Sequence, residues 1–457
     1  MMDTLTAAKA VSGRLVGEVA RFERVTTDSR KLARGDLFIA LQGERFDGHD
    51  FVSKALASGA VAAVVREARV ADFTGNLIAV ADPQRALEAL ATHWRRRFTL
   101  PVVTVVGSNG KTTTKEMLAA ILREAHGPDR VAATAGNFNN AIGLPLSVLG
   151  LREAHRVAVF EIGMNHRGET RELAAVAQPT CTLVTNAQRE HQEFMRSVEE
   201  VAIEHADAIL ALPRGGVAVI NADDPHASLW RDAARDAAAR MIDFGLAADA
   251  AVSARIVPGI EGSTLALTTP RGAIDVALKV PGRHMVANAL GATAAALAVD
   301  VPLAAIGRGL AGFRSAPGRL AITESSSGLR VIDDTYNANP DSVRAAIDVL
   351  KTMPGRKWFA LGDMGEVGEY GRAYHEEIGV YAREAGIDRL LAAGALAQIA
   401  VDAFGDGAEH FPSVEMLGAR LVEDVRLGDV VLVKGSRFMR MERVVAMLTG
   451  EGFGEAH

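Results

Sequence analysis

The chain has 457 residues, 49% hydrophobic and 23% charged, an ordinary globular composition with apolar material for about three domains. Its net charge of −6 excludes the overall basic field typical of proteins that bind nucleic acid or anionic membranes. A single cysteine, Cys181, excludes an internal disulfide framework, and the first residues lack a signal-peptide pattern, so we expect a cytoplasmic protein.

The predicted elements divide the chain into three segments. Residues 1–98 mix short strands with helices such as one over 83–97. Residues 99–313 alternate helices with apolar strands, which indicates a covered parallel sheet. The strands of this second segment are predicted over 102–106, 157–161, 182–185 and 217–220.

Two further features complete the predicted architecture. Residues 251–280 alternate strands with Gly and Pro turns, which indicates an antiparallel insertion, and the apolar stretch 285–303 is interrupted by polar residues, which indicates a buried helix and not a membrane span. Residues 314–457 repeat the strand–helix rhythm and predict a second, smaller doubly wound domain. Its strands are predicted over 329–332, 358–361, 389–392 and 430–433.

The stretch VVTVVGSNGKTTTKE, residues 102–116, predicts a strand, a glycine turn and a helix that begins at Lys111. A helix start offers unpaired N–H groups and a positive dipole end, which suit a phosphate. Lys111 would neutralise phosphate charge and Thr112 would bind Mg²⁺. The spacing is G-x-x-G-K-T-T, because Val105 stands where the standard P-loop has glycine. A glycine turn with a surface lysine is the alternative.

Glu161 is the last residue of the predicted strand 157–161. A second ligand for the Mg²⁺ that Thr112 binds is expected at this carboxyl end. The alternative for this residue is a solvated loop acid. The base-reading motif N-K-x-D of switch GTPases is absent from the sequence, which disfavours that class.

Six motifs in chain order resemble the Mur ligase family, which joins an amino acid or peptide to a UDP-muramoyl precursor using ATP. They are GSNGKTTTKE, GNFNNAIGLPLSVL (136–149), EIGMNHRGE (161–169), TNAQREH (185–191), PGRHMVANALGATAAA (281–296) and DDTYNANPDSVRAA (333–346). The resemblance implies an α/β protein with the three-domain Mur ligase architecture. It consists of a mixed α/β UDP-precursor-binding domain (1–98), a central P-loop ATPase domain with a parallel sheet (99–313) and a Rossmann-like domain that closes over the site (314–457).

Further motifs resemble the family member that adds D-alanyl-D-alanine to the UDP-muramoyl-tripeptide. They are DDTYNANP, LGDMGEVG (361–368), TTDSR (26–30) and GDLFIALQGERFDGHDF (35–51). The implied reaction begins when the substrate carboxylate attacks the γ-phosphate of ATP, giving an acyl phosphate. The dipeptide amine then displaces phosphate. Because two anions must meet, the site needs the cations Lys111, Mg²⁺ and Arg319.

The resemblance also implies roles for individual residues around the nucleotide. His191 would bind a second Mg²⁺, whereas the first would be held by Thr112 and Glu161. Asn288 would meet adenine, and Arg319 and Asp334 would meet phosphate and ribose. The triphosphate would be bound by Gly107, Ser108, Asn109, Gly110, Lys111, Thr112 and Thr113.

The substrate side is assigned in the same way. Ser29 and Arg30 resemble uridine-diphosphate contacts, and Asn139 and Asn140 resemble substrate contacts, with a simple turn as the alternative for the Asn pair. The loop of Arg45, Asp47 and His49 would lie near the UDP-sugar and peptide, with a solvated hairpin loop as its alternative. The dipeptide and peptide end would be met by Tyr336, Asn337, Asn339, Asp363 and Ser436.

One position departs from the family pattern. Many Mur ligases carry a lysine, modified to a carbamate, on the helix after the TN…H motif, and here His205 stands there beside Glu204. No lysine occurs between Lys115 and Lys279, so no carbamate can form on this helix. Either His205 or Glu204 binds the metal directly, or water completes the shell of His191, or the second metal binds more weakly. We favour water or His205.

Four rival functions remain. A ligase that adds a diamino acid would carry a D-N-P-R motif, which this sequence lacks. A folate polyglutamate ligase would not need the DSR and GDLFIAL motifs. A P-loop kinase would not need two further domains, and a non-catalytic nucleotide-binding scaffold would not need Lys111, Glu161 and His191. We expect a monomer that acts on small-molecule substrates.

Overall fold

The computed structural model describes residues 1–43, 46–247, 249–259, 262–324 and 328–450. Arg45, one of the predicted substrate contacts, lies outside the described residues. None of the helices within these ranges is long and apolar enough to cross a membrane.

The amino-terminal segment is built around a mixed sheet with the strand order β2-β7-β6-β5-β4. Its central strands pair in parallel and are buried except for Arg66 at the end of β6, which explains their mostly apolar sequence. The elements are β1 (Met2–Asp3), α1 (Thr4–Ala10), β2 (Arg14–Val16), β3 (Arg21–Phe22), β4 (Arg24–Thr26), β5 (Asp36–Ile39), α2 (Val52–Ala57), β6 (Ala62–Arg66), β7 (Leu77–Val80) and α3 (Pro83–Arg95).

The central segment carries a parallel sheet with the order β13-β12-β11-β8-β10-β9, as predicted from the alternation of strands and helices. The strand that precedes the glycine turn lies inside this sheet, between β10 and β11. The elements are β8 (Val102–Val106), α4 (Lys111–His126), β9 (Val131–Ala133), α5 (Gly143–Leu149), β10 (Val157–Glu161), α6 (Glu169–Ala177), β11 (Cys181–Val184), α7 (Val198–Leu210), β12 (Val217–Asn221), α8 (Ala227–Asp236) and β13 (Arg240–Phe244).

The predicted antiparallel insertion and buried helix are both confirmed. The strands pair antiparallel in the order β14-β15-β16, and most of the following helix is buried because small Ala side chains let it pack closely on the sheet. The elements are β14 (Ser253–Pro258), β15 (Ser263–Thr269), β16 (Gly272–Leu278), α9 (Arg283–Ala298) and α10 (Leu303–Gly312).

The third segment has a sheet with the order β17-β18-β22-β19-β20-β21, in which β17 pairs antiparallel and the other neighbours pair in parallel. The predicted strands are therefore confirmed, with ends shifted by one or two residues. The elements are β17 (Ala321–Glu324), β18 (Arg330–Asp334), α11 (Pro340–Thr352), β19 (Lys357–Gly362), α12 (Gly371–Glu384), β20 (Arg389–Ala393), α13 (Ala397–Phe404), β21 (Ala408–Phe411), α14 (Val414–Asp424), β22 (Val430–Lys434) and α15 (Glu442–Thr449).

Candidate functional site

A cavity of about 1780 Å³ lies where the carboxyl ends of β8, β10 and β11 meet the loops of the third segment. The carboxyl edge of an open parallel sheet is where ligands bind in this type of fold. Sixteen of the residues predicted to bind nucleotide, metal or substrate line it: Ser108, Asn109, Gly110, Lys111, Thr112, Thr113, Asn139, Asn140, Glu161, His191, Asn288, Arg319, Asp334, Tyr336, Asn337 and Asn339.

Both glycines of the loop between β8 and α4 are required by their conformation and their neighbours. Gly107 has φ of 132°, and a Cβ there would lie 2.0 Å from Oγ1 of Thr185. Gly110 has φ of 82°, and its Cβ would lie 2.3 Å from Oδ1 of Asn288. L-residues rarely adopt such φ values, so glycine permits both the turn and the close approach. Asn288 therefore packs directly on this loop.

The loop after β11 braces the glycine loop through its backbone. The N–H of Ser108 donates to the carbonyl of Asn186 at 3.0 Å, and that of Asn109 donates to Oδ1 of Asn186 at 2.9 Å. The hydroxyl of Thr185 donates to the carbonyl of Asn109 at 2.8 Å. These bonds hold the glycine loop in one shape, so the N–H groups at the start of α4 face the cavity together.

Glu161 ends β10 beside the glycine loop and is only 1% exposed. Its Oε1 accepts hydrogen bonds from the hydroxyl of Thr112 at 3.1 Å and from the amide of Asn139 at 2.7 Å. Its Oε2 is buried and has no hydrogen-bond partner among the described residues. A buried carboxylate oxygen left free beside a hydroxyl is a donor set that suits Mg²⁺, so these residues fit the predicted ion.

Within the described ranges, no group of three or more His, Cys, Asp and Glu side chains could hold a metal ion by itself. This agrees with the way Mg²⁺ usually binds, through one or two carboxylates together with phosphates and water.

Arg319 brings a cation from the third segment to the start of α4. Its Nη2 donates to the hydroxyl of Thr112 at 3.0 Å, and its guanidinium carbon lies 3.6 Å from the centre of the Tyr336 ring. Stacking on the ring holds the planar guanidinium in place without neutralising it. Asn339 also reaches this loop, because its amide exchanges hydrogen bonds of 2.9 and 3.2 Å with the side chain of Asn109.

Lys111 contacts a carboxylate that the sequence reasoning missed. Its ammonium donates to the carbonyls of Gly107 and Ser108 and lies 3.2 Å from Oε2 of Glu190, which is 7% exposed. Burial opposes ionisation of Glu190, but the Lys111 ammonium and the imidazoles of His205 and His191 lower its pKa to about 2. Glu190 is therefore a buried anion. In the sequence, one Glu between Arg and His gave no signal of this.

His191 lies between two carboxylates. Its Nδ1 is 2.7 Å from Oε2 of Glu366, which comes from the third segment, and its Nε2 is 3.8 Å from Oε2 of Glu190. The pKa of Glu366 is lowered, chiefly by its interaction with His191. His191 has φ of 49°, an uncommon backbone conformation that tends to occur at functional sites.

The structure shows the contacts of Glu204 and His205, the two residues considered in place of the modified lysine. Glu204 accepts hydrogen bonds of 2.8 Å from the N–H groups of Gly168 and Thr170 and thereby caps α6, and the alternative in which it binds a metal stays a prediction. His205 is 2% exposed and lies behind Glu190, with Nε2 3.4 Å from its Oε1.

The predicted contacts in the amino-terminal segment do not line the cavity. Ser29 and Arg30 follow β4, and the Arg30 guanidinium bonds to Asp28 at 2.9 Å. The side chain of Asp47 accepts a hydrogen bond of 2.9 Å from the N–H of His49. His49 is 1% exposed and its Nε2 accepts a hydrogen bond of 3.0 Å from the N–H of Arg66. The side chains of Asp47 and His49 thus form hydrogen bonds within the amino-terminal segment, and their contacts with substrate stay predictions.

Two predicted residues of the third segment also serve the fold. Oδ1 of Asp363 accepts hydrogen bonds from the N–H groups of Leu396 and Ala397 at 3.0 and 2.7 Å and so caps the start of α13. The hydroxyl of Ser436 accepts from the N–H of Gly365 at 2.7 Å and holds the loop after β19. Neither side chain lines the cavity.

A second feature missed in the sequence joins the central and third segments. Nη2 of Arg189 lies 2.6 Å from Oδ1 of Asp341, and its Nη1 lies 2.7 Å from Oε2 of Glu377. Burial opposes the charge of Arg189, but these two carboxylates raise its pKa further above its ordinary value. The pairs join the loop after β11 to α11 and α12 on the far side of the cavity.

A parallel strand, a glycine loop, a helix that begins with Lys-Thr and a buried carboxylate at the end of the adjacent strand define a P-loop nucleotide-binding protein. Three family models match the chain: the Mur ligase family catalytic domain at residues 21–95, the Mur ligase middle domain at 105–296 and the Mur ligase glutamate ligase domain at 318–437. The chain belongs to the Mur ligase family, as its motifs predicted.

Named relatives cover almost the whole chain. The UDP-N-acetylmuramoyl-tripeptide--D-alanyl-D-alanine ligase of Escherichia coli (strain K12) is 38% identical over 97% of both chains. A crystal structure of MurF from Acinetobacter baumannii superposes with a TM-score of 0.90 at 33% identity and covers 98% of both chains. A MurF ligase from Thermotoga maritima in complex with ADP gives a TM-score of 0.82 at 28% identity and covers 94% of this chain and 97% of the other.

Proposed function

We propose that this protein is an ATP-dependent amide ligase that adds D-alanyl-D-alanine to UDP-N-acetylmuramoyl-tripeptide in peptidoglycan synthesis. The observation that carries the proposal is the meeting of Lys111, Glu161 and Arg319 at one cavity, in a chain whose named relatives over its full length are ligases of this specificity. The absence of a D-N-P-R sequence continues to disfavour a ligase for a diamino acid.

The first step needs positive charge, because the substrate carboxylate must approach the anionic γ-phosphate of ATP. Lys111 supplies it at the start of α4, where the free N–H groups and the helix dipole also favour phosphate. Arg319 of the third segment also supplies it, since it lies on the ring of Tyr336 and bonds to Thr112. Positioning and charge neutralisation account for most catalysis of phosphoryl transfer, and both are present in this arrangement.

Thr112 and Glu161 are the residues that would hold Mg²⁺, since the buried Oε2 of Glu161 has no hydrogen-bond partner among the described residues and its Oε1 accepts from the Thr112 hydroxyl. A bound Mg²⁺ neutralises phosphate charge. His191 is proposed as a ligand of a second ion on the other side of Lys111. Asn139 orients the Glu161 carboxylate, and Asn288, packed on Gly110, lies where the base of a nucleotide would follow its phosphates.

The acyl phosphate formed in the first step reacts with water as well as with an amine, so the site must exclude water. Contacts across the cavity serve this purpose, because Arg319 and Asn339 of the third segment bond to Thr112 and Asn109 of the second. The dipeptide amine would then attack the acyl carbon and displace inorganic phosphate. We propose that the peptide substrates contact three residues of the third segment that line the cavity: Tyr336, Asn337 and Asn339.

We extend the proposal to the organisation and setting of the protein. Residues 1–98 would bind the UDP precursor, 99–313 would bind ATP, and 314–457 would close over the site. The protein would act as a monomer in the cytoplasm on small-molecule substrates.

The test mixes the protein with ATP, Mg²⁺, UDP-muramoyl-tripeptide and D-Ala-D-Ala, and follows phosphate release and product mass. We expect phosphate release that requires both UDP-muramoyl-tripeptide and D-Ala-D-Ala. The product should be heavier than the tripeptide precursor by the mass of D-Ala-D-Ala less one water. Phosphate release without either substrate, or transfer of phosphate to a hydroxyl group, would contradict the proposal and favour a P-loop kinase.

A further inference from the structure

Glu190 is a buried anion that the proposed reaction does not yet use. It lies in the loop after β11, next to His191, and lines the cavity although its side chain is only 7% exposed. Carboxylates are almost never buried to this extent without a partner that matches their charge. Its partners therefore indicate its role.

The two oxygens of Glu190 have different surroundings. Oε2 lies 3.2 Å from the ammonium of Lys111 and 3.8 Å from Nε2 of His191. Oε1 is buried, lies 3.4 Å from Nε2 of His205, and makes no hydrogen bond with any described residue. Among the residues that the structure describes, Lys111 is thus the only lysine or arginine paired with Glu190, and Oε1 of Glu190 has no hydrogen-bond partner.

The partner of Glu190 must change when nucleotide binds. The lysine of a P-loop reaches the β- and γ-phosphates, so Lys111 would leave Glu190 for the nucleotide. A buried charge that loses its partner strongly destabilises a protein. Glu366, 2.7 Å from the other side of His191, adds a second negative charge to the same place. The space around His191 would then hold two carboxylates without the lysine, which favours a cation.

We propose that Glu190 binds a second divalent cation, together with His191, once Lys111 has moved to the nucleotide. This inference rests on the proposed use of ATP. Oxygen is the ligand that Mg²⁺ prefers, so a carboxylate serves better here than the imidazole of His205. His205 acts as a positioning residue behind Glu190.

The inference explains how the chain manages without the modified lysine of its relatives. A carbamate places a carboxylate-like group at the metal by reaction of lysine with carbon dioxide. No lysine occurs between Lys115 and Lys279, and His205 occupies the matching position. Glu190 is a permanent carboxylate in contact with that histidine, so the second cation site of this protein would not depend on carbon dioxide.

The test measures binding of Mn²⁺ to the full-length protein with the non-hydrolysable ATP analogue AMP-PNP, by the EPR signal of free Mn²⁺. We expect the wild type to bind two Mn²⁺ ions, and Glu190→Gln to bind the second at least about 10-fold more weakly, since a charged ligand is lost. Glu193→Gln is the matched control, because Glu193 is exposed in the same loop and the charge change is identical. Unchanged binding of the second ion by Glu190→Gln would overturn the inference.

Melting temperatures show whether each variant is folded. If Glu190→Gln is unfolded at the assay temperature, Glu190→Asp replaces it, because it keeps the charge and only shortens the side chain. It should still bind the second ion several-fold more weakly, and wild-type affinity would overturn the inference.

A second experiment needs no variant. Wild-type protein in buffer freed of carbon dioxide should bind both Mn²⁺ ions as tightly as in buffer with added bicarbonate. A bicarbonate-dependent second site would overturn the inference. The Mn²⁺ measurements contain no muramoyl substrate, so their failure leaves amide synthesis standing, and failure of amide synthesis leaves the cation result standing.

Discussion

Two buried glutamates stand on opposite sides of the P-loop helix start, and their surroundings differ. Glu161 is surrounded by neutral donors, the hydroxyl of Thr112 and the amide of Asn139, and keeps one oxygen free. Glu190 is paired with the ammonium of Lys111 and faces the imidazoles of His191 and His205.

The difference indicates when each carboxylate becomes available to a cation. Glu161 is ready in the structure as it stands, because no cation has to be displaced from it. Glu190 becomes available only when Lys111 turns to the nucleotide. The two sides of the site would therefore fill in order, the Glu161 side with the nucleotide and the Glu190 side after it.

The largest effect is expected from Lys111→Ala, which removes the cation that pairs with Glu190 in the structure and that is proposed to bind the nucleotide. We expect kcat/KM for amide synthesis to fall on the order of 10³-fold or more, the scale seen when a cation that stabilises phosphoryl transfer is lost. Steady-state phosphate release with all substrates measures it. Lys115→Ala does not serve as a control, because the buried Lys115 side chain bonds to the carbonyl of Thr134 at 2.8 Å and supports the fold.

Arg319→Ala removes the cation that the third segment contributes to the site. It should act on the Glu161 side, because Arg319 bonds to Thr112. We expect kcat to fall about 10²- to 10³-fold, the cost of removing one preorganised donor from a reacting charge. Arg319→Lys restores the charge but not the flat contact with Tyr336, so it should recover only part of the rate. Equal rates for the Ala and Lys variants would contradict a role for the charge.

Arg189→Ala tests the link between the loop that carries Glu190 and the third segment. Two half-buried carboxylates, Asp341 and Glu377, lose their partner, and closure over the site should weaken. We expect kcat/KM to fall about 10-fold, a moderate value for a broken charge pair that is partly exposed. Arg344→Ala is the control, because Arg344 bonds to Glu377 at 2.9 Å entirely inside the third segment. A similar loss in both variants would argue against an effect on closure.

The smallest effect concerns the support of Glu366, the third-segment carboxylate beside His191. Buried His375 accepts the N–H of Met364 at Nε2 and contacts the carbonyl of Gly371 through Nδ1, and burial lowers its pKa below the ordinary 6.5. A lowered pKa means that the unfolded state takes up the proton first. The stability contributed by neutral His375 is therefore complete above pH 6.5 and decreases as the pH falls below it toward the folded pKa.

The free energy of unfolding at pH values between about 5 and 8 measures this effect, with urea as denaturant. His375→Gln, which keeps an acceptor for the N–H of Met364, should show a shallower decrease on the acid side than the wild type. Parallel pH profiles for the two proteins would contradict the assignment.

The central and third segments were the parts of the fold that sequence could predict best. Strands such as β8 and β10 are apolar apart from Thr104 and the terminal Glu161, because both faces of a parallel sheet are covered, and the end of each strand places a motif at one edge. That rule predicted Lys111 and Glu161 at one edge of the sheet, whereas Arg319 was predicted from the family resemblance, and all three line the cavity.

The sequence does not distinguish a polar side chain that contacts a ligand from one that forms its hydrogen bonds with nearby residues of the fold. The side chain of Asp47 accepts a hydrogen bond from the N–H of His49, and Asp363 caps α13, so both have partners within the fold, and their ligand contacts stay predictions. Glu190 was missed for the opposite reason. Its place beside Lys111 depends on how the loop after β11 lies against the glycine loop, and the order of residues in the chain does not encode that in a recognisable pattern.

The central claim is that the cationic pocket at Lys111 activates a carboxylate as an acyl phosphate. The most direct test uses UDP-muramoyl-tripeptide labelled with ¹⁸O in its terminal carboxylate, with ATP and D-Ala-D-Ala, followed by mass spectrometry of the released phosphate. Our account predicts one ¹⁸O atom in each inorganic phosphate and one in the new amide. Unlabelled phosphate, or ¹⁸O found in AMP, would contradict it.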